Sequence, residues 1–193
     1  MKRSETLYDR NALIEVVREK ALQFGDFTLA SGKKAKFYLD CRCVTLDAQG
    51  ANLVAAGMIQ SWLEKNTWPD AVGGMAVGAV PIAASILTHV GQGAAEGKSL
   101  RGFFCRKEAK DHGKGKQIEG PVKAGDKIVI VEDVVTTGGS SLKAIEACEA
   151  FGLEVIGVTA IIDRMAGGRE AFESRGYPLT TLLTIRDFGI EPE

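Results

Sequence analysis

Apolar side chains first recur at helical spacing between Asp9 and Phe24, where Leu13, Val17, Ala21 and Phe24 fall at i, i+4, i+8 and i+11 with Glu15, Arg18 and Glu19 between them. The pattern predicts a helix over 9–24, followed by short strands over 27–30 and 37–39 on either side of the turn-prone Ser31-Gly32 pair. Beyond this the chain alternates. Helices are expected over 47–64, 81–90, 140–150 and 168–175, and apolar or β-branched strands over 71–77, 102–105, 127–131, 155–162 and 179–185. Strands alternating with helices imply an α/β fold whose mostly parallel central sheet is flanked by helices on both faces. Ligands of such sheets bind beyond the C-terminal ends of the strands.

Composition narrows the picture. At 193 residues, 45% of them hydrophobic and 25% charged, the chain is long enough to bury a substantial core and is expected to form one domain over 1–193. Twenty-four basic side chains against 25 acidic ones leave a net charge of -1, which gives no reason to expect a nucleic-acid or membrane partner. No run approaches the roughly 20 apolar residues that a span requires, and the polar start, Met1 to Arg10, lacks a signal-peptide centre. Cys41, Cys43, Cys105 and Cys148 are too few and too scattered for a disulfide framework. The Cys41-x-Cys43 pair has no histidine near it to complete a zinc site. A reduced, cytoplasmic protein is expected.

Two segments carry chemistry. In the first, a β-branched run from Lys127 ends in Glu132-Asp133, passes through Val-Val-Thr136-Thr137-Gly138-Gly139 and opens a helix at Ser140-Ser141. Glycines admit close backbone approach to an anion, and the N–H groups and dipole of a helix start favour a phosphate there. Thr136, Thr137, Ser140 and Ser141 add hydroxyl donors, while paired carboxylates can accept from a sugar diol. The segment is neither a G-x-x-x-x-G-K-[ST] loop nor G-x-G-x-x-G. A capped helix start with two solvated acids is the plainer alternative. The second segment, Phe104 to Lys116, concentrates Arg106, Lys107, Lys110, Lys114, Lys116 and His112 without apolar periodicity and reads as a long surface loop. Such a loop could neutralise charge growing on a leaving group and exclude water on closing, or it could be a solvated basic run.

Glu132-Asp133-Val-Val-Thr-Thr-Gly-Gly-Ser140 resembles the signature of type I phosphoribosyltransferases, and Arg106-Lys-Glu-Ala-Lys-Asp-His-Gly113 resembles the catalytic loop of the orotate-using branch. The resemblance runs from Phe24 to about Ile185 and implies a five-stranded parallel core over 46–185 with a small hood from 1–45. It further implies that Glu132 and Asp133 hold the ribose hydroxyls of phosphoribosyl pyrophosphate, Asp133 also counting among the catalytic residues. Thr136, Thr137, Gly138, Gly139 and Ser140 would wrap the 5-phosphate, and orotate would meet Phe27, Lys33, Thr136 and Arg164. Arg164 can grip a carboxylate bidentately where lysine cannot. Arg106, Lys110 and His112 are expected to reach the neighbouring active site of a homodimer, with Lys107 acting in its own subunit. Mg²⁺ is expected on substrate and water, with no direct side-chain ligand.

The segment Gly73-Gly-Met-Ala-Val-Gly-Ala-Val-Pro81 stands where the family places its pyrophosphate loop, so Gly74, Ala76 and Val77 are expected to present backbone amides. Many relatives carry an aromatic-lysine pair here; Val77-Gly78 replaces it, and Ala35 stands where a hydroxyl residue is common. His89, late in a helix, is expected to be structural. Two other readings stay open: a purine or uracil phosphoribosyltransferase, for which Arg164 and Lys33 would have less to do, and a nucleic-acid-binding regulator on the same fold. A second barrel domain is not expected at this length.

Overall fold

The computed structural model describes residues 8–28, 34–108 and 117–192. Helix α1 (Arg10–Lys20) starts where the Asp9 carboxylate accepts from Ala12 N at 3.0 Å. It stops four residues short of the predicted end, because Leu22 and Phe24 enter β1 (Leu22–Thr28), which pairs antiparallel with β2 (Lys34–Leu39). Phe24, 67% exposed, is therefore no part of the apolar face of α1. The hairpin turn lies outside the described residues. Along β2, Ala35 and Phe37 point inward and alternate with exposed lysines.

A short helix α2 (Arg42–Thr45) leads into α3 (Ala48–Glu64), whose first amides are capped by the Asp47 side chain. Strand β3 (Ala71–Gly73) precedes α4 (Ala79–Gly91), then come β4 (Arg101–Gly102) and a two-stranded stem, β5 (Phe104–Cys105) and β6 (Ile118–Glu119). The long β7 (Lys127–Val135), α5 (Gly139–Phe151), β8 (Glu154–Asp163), α6 (Gly168–Glu173), β9 (Leu179–Thr184) and a closing 3₁₀ turn (Ile185–Phe188) complete the described chain. The main sheet has the order β4-β3-β7-β8-β9, and all its pairs are parallel.

Alternation along the central strands divides the core. Val129 and Val131 of β7 face a cluster with α1, α3 and α4, while Ile128 and Ile130 face α5 and Phe172 of α6. Burial on both faces is why these strands read as continuous apolar runs. Two predicted strands differ. The run over 71–77 is strand only to Gly73, where a Cβ would lie 2.1 Å from the Phe103 carbonyl, so the chain turns away at a glycine pair that permits close passage. The run over 102–105 divides, β4 joining the sheet and β5 leaving it to pair with β6. No helix among the described residues is long and apolar enough to cross a membrane.

Candidate active site

Strand β7 runs past the predicted end at Val131 to Val135, so Glu132 and Asp133 are themselves part of its ladder. Glu132 is in register with Ala160 of β8. This fixes both backbones beside a cavity of about 340 Å³ bounded by the two acids, Val134 and residues 136–141. One oxygen of Glu132 accepts from Ser141 Oγ at 2.7 Å, and the other from Asp133 N at 3.3 Å. Burial raises the Glu132 pKa to about 7; the Ser141 bond opposes the rise and the charge of Asp133 adds to it. Asp133 Oδ1 accepts from Val134 N at 2.7 Å.

The loop after β7 turns through Gly138, whose φ of +78° is left-handed and whose absent Cβ would lie 2.9 Å from the Phe172 ring. Phe172 is fully buried and thus forms the floor under this loop. Thr137, Gly139 and Ser140 are exposed at its rim, ahead of an α5 start that has no side-chain cap. That combination leaves a helix N-terminus open to an anion. Ser141 departs from expectation: it is 1% exposed and directs its hydroxyl to Glu132 instead of toward a phosphate.

Opposite the acids is the loop after β3. A Cβ on Gly78 would sit 3.7 Å from the Asp133 carboxyl group, so the absence of a side chain at this position keeps the approach to that acid open. Ala76 requires a correction. Its N–H donates to the Cys105 carbonyl at 2.8 Å, and Cys105 N donates to the Gly74 carbonyl at 2.8 Å, so the Ala76 amide joins this loop to β5 and is not presented to a ligand. Val77, at 75% exposure, stands out from the same loop.

The stem β5–β6 carries the basic segment. Arg106 N donates to the Gln117 carbonyl at 2.9 Å and the Gln117 side-chain Nε2 donates to the Arg106 carbonyl at 3.2 Å, closing the stem. The Arg106 guanidinium pairs with Glu119 at 3.3 Å and lies 5.4 Å from the Phe104 ring centre. Lys107 borders a larger cavity of about 660 Å³ together with Met75, Gln117, Ser140 and Lys143, which places it beside the loop after β7 of its own chain. Lys110, His112 and Lys33 lie outside the described residues.

At the end of β8, Arg164 N donates to the Val135 carbonyl at 2.8 Å, and its guanidinium lies 4.8 Å from the ring centre of Phe37 on β2. Neighbouring Asp163 is 1% exposed; it accepts from Met165 N at 2.7 Å and pairs with Arg169 at 3.2 Å. Asp163 therefore braces the turn that presents Arg164. Phe27 packs its ring 5.8 Å from that of Tyr38. His89 is buried and its Nδ1 is 3.0 Å from the Ser85 carbonyl one helical turn back, remote from these groups. Phe37, Phe172 and Arg169 went unnoticed in the sequence. Their types are ordinary for core and surface, and only Phe37, alternating with lysines in β2, carried a burial signal.

The family model for the phosphoribosyl transferase domain matches residues 46–178. An orotate phosphoribosyltransferase of Rhodopirellula baltica is 57% identical over 188 residues, covering 95% of this chain and 96% of that protein. One of Aquifex aeolicus is 40% identical, covering 94% of this chain and 98% of its own length. Among solved structures, orotate phosphoribosyltransferase of Mycobacterium tuberculosis in complex with 5-phospho-α-D-ribosyl 1-diphosphate superposes with a TM-score of 0.77 at 32% identity, over 94% of this chain and 99% of that one.

Proposed function

Because the chain belongs to the orotate phosphoribosyltransferases of the type I phosphoribosyltransferase family, we propose an assignment of roles for that reaction to the residues described above. The reaction moves the 5-phosphoribosyl group from phosphoribosyl pyrophosphate to orotate, giving orotidine 5′-monophosphate and pyrophosphate on the route to UMP. The bond from ribose C1 to the pyrophosphate oxygen breaks, and a bond from C1 to an orotate ring nitrogen forms.

Glu132 and Asp133 accept from the ribose hydroxyls, and the amides and hydroxyls of Thr136, Thr137, Gly138, Gly139 and Ser140 enclose the 5-phosphate. Asp133 lies nearest the loop after β3, so its charge also faces C1 as that carbon becomes cationic. Orotate stacks toward the hood, near Phe27, Thr136 and Lys33, with its carboxylate on the Arg164 fork. Lys107 reaches the pyrophosphate from its own chain, while Arg106, Lys110 and His112 come from the second subunit of a homodimer. For Arg106 to do so, its pair with Glu119 must open. That pair is part-exposed, and such pairs contribute little.

Among the described residues no group of three or more Asp, Glu, His or Cys side chains could hold a metal ion. The two acids at the cavity fit a different arrangement, in which Mg²⁺ rests on substrate oxygens and waters near Glu132 and Asp133. When bound, the ion neutralises the diphosphate and eases its departure. The cysteines, three of them buried and all unbridged, suit a reducing cytoplasm.

One observation carries the assignment: paired acids, a hydroxyl-rich helix start and the Arg164 fork converge at one end of the parallel sheet. The test is a base panel. The purified protein, given the sugar donor and Mg²⁺, is offered orotate, uracil, hypoxanthine and adenine while base absorbance is followed, with a chelated control. Turnover of orotate alone, abolished by chelation, is expected. Turnover of uracil or a purine without orotate would overturn the assignment of Arg164.

A further inference from the structure

We propose that Ser141, which touches no ligand itself, is a positioning residue for sugar-donor binding. Its buried hydroxyl ties the first turn of α5 to Glu132 and so sets the carboxylate and the phosphate loop as one unit. The proposal rests on the reading that Glu132 receives the ribose hydroxyls.

The geometry argues for it in three steps. A serine hydroxyl carries one proton, and here it is donated to Glu132 Oε2 at 2.7 Å, from a residue only 1% exposed, so that proton is already committed to the carboxylate. Glu132 and Ser141 are nine residues apart and bracket the whole loop, so the bond joins the strand that enters the loop to the helix that leaves it. The other oxygen, Oε1, accepts from the neighbouring Asp133 amide at 3.3 Å, a long and local contact. A carboxylate has about four acceptor sites, so one in-chain donor on each oxygen orients the group and still leaves lone pairs for a diol.

A helix-capping role is the plain alternative for a serine in a first turn. The bond does not support it: the hydroxyl goes to Glu132, and α5 has no side-chain cap. A purely structural role, filling a small polar space between β7 and α5, makes a different prediction. It would lower the melting temperature and leave kinetics untouched. A positioning role instead separates the substrates, since only the sugar donor meets Glu132.

The experiment compares Ser141→Ala, Ser141→Thr, Glu132→Gln and the Ser141→Ala/Glu132→Gln double variant by steady-state kinetics at saturating Mg²⁺. Losing one hydrogen bond to a charged group should raise KM for the sugar donor about tenfold in Ser141→Ala. KM for orotate should stay within about twofold of the parent and kcat within about threefold. Ser141→Thr, which keeps the hydroxyl, should recover most of the loss. The double variant should resemble Glu132→Gln, because both changes act through one carboxylate. The acidic limb of the sugar-donor KM profile should move to higher pH in Ser141→Ala and vanish in Glu132→Gln.

If Glu132→Gln leaves the sugar-donor KM unchanged, the reading of Glu132 fails and this proposal falls with it. If Glu132→Gln raises it and Ser141→Ala does not, the assignment of Glu132 stands and the Ser141 proposal alone is overturned. Should Ser141→Ala fail to fold, Ser141→Cys, close in size and a weak donor, serves the same comparison with the same two outcomes.

Discussion

Burying a carboxylate at the end of a sheet means desolvating it, and Glu132, proposed above to hold the ribose hydroxyls, shows the consequence. Burial lifts its pKa from 4.5 to about 7, against the help of Ser141. A native pKa above the unfolded one means that the folded chain binds the proton more readily. Stability from this group is therefore present below about pH 4.5 and is lost as the pH climbs through 7. Glu132→Gln removes the charge while keeping the shape and the acceptor for Ser141. At pH 8 it should raise Tm by about 2–6 °C, and at pH 5 by little, while sugar-donor binding is lost at both. Scanning calorimetry at the two pH values decides it; equal melting temperatures at pH 8 would contradict the desolvation account. The acids, the glycine turn and the hydroxyls could be grouped in the sequence because they follow one another along a strand, loop and helix start, and the structure gathers them around one cavity. The separate part of Ser141 was not legible, since Ser140 and Ser141 are chemically alike and only the helix start decides which faces the cavity and which is buried. Ala76 misled for a related reason: an amide counts as a donor until the strand beside it takes the bond.

Elements rather than single residues explain how the end of the site proposed to take the base is assembled. β2 brings Phe37 to the end of β8, just before Arg164, so a ring from the hairpin lies 4.8 Å from the guanidinium carbon. The ring both covers the arginine's apolar plane and restrains its swing. Phe37→Leu preserves much of the burial and removes the quadrupole. KM for orotate should rise about three- to tenfold, with the sugar-donor KM unchanged. If both substrates weaken equally, the hairpin acts on the whole cleft and not through Arg164. Most elements were readable from periodicity, the helices best. The errors fall where two partners compete for one strand. Residues 102–105 look like a single apolar run, yet β3 takes the first half and β6 the second. Pairing of that kind depends on what stands alongside, which a linear pattern does not record. The early stop of α1 has the same cause, since β2 claims Leu22 and Phe24 for a hairpin.

At the scale of the molecule, a parallel sheet collects its strand ends on one side, so acids from β7, a loop from β3 and an arginine from β8 meet without any long-range sequence signal. The near-neutral chain has a locally dense basic run in its sequence from Arg106 to Lys116, and the β5–β6 stem at the base of that run is stitched to the loop after β3. Opening of this stem toward a second subunit would place one chain's cations over the other chain's acids. That arrangement has a consequence which a self-contained site lacks. Lys110→Ala and Glu132→Gln homodimers should each lose about 10²-fold or more in kcat/KM. Mixed under conditions that let subunits exchange, they form hybrids in which one site combines an intact acid pair with an intact loop, and the other site carries both changes. Random exchange makes half the dimers hybrid with one working site of two, so activity should return to about a quarter of the parent value. A site complete within each chain would give no recovery on mixing, whatever the exchange time. Absence of recovery, with exchange verified by mass-tagged subunits, would return Arg106, Lys110 and His112 to the chain that carries them. The reaction itself would then be built from one copy.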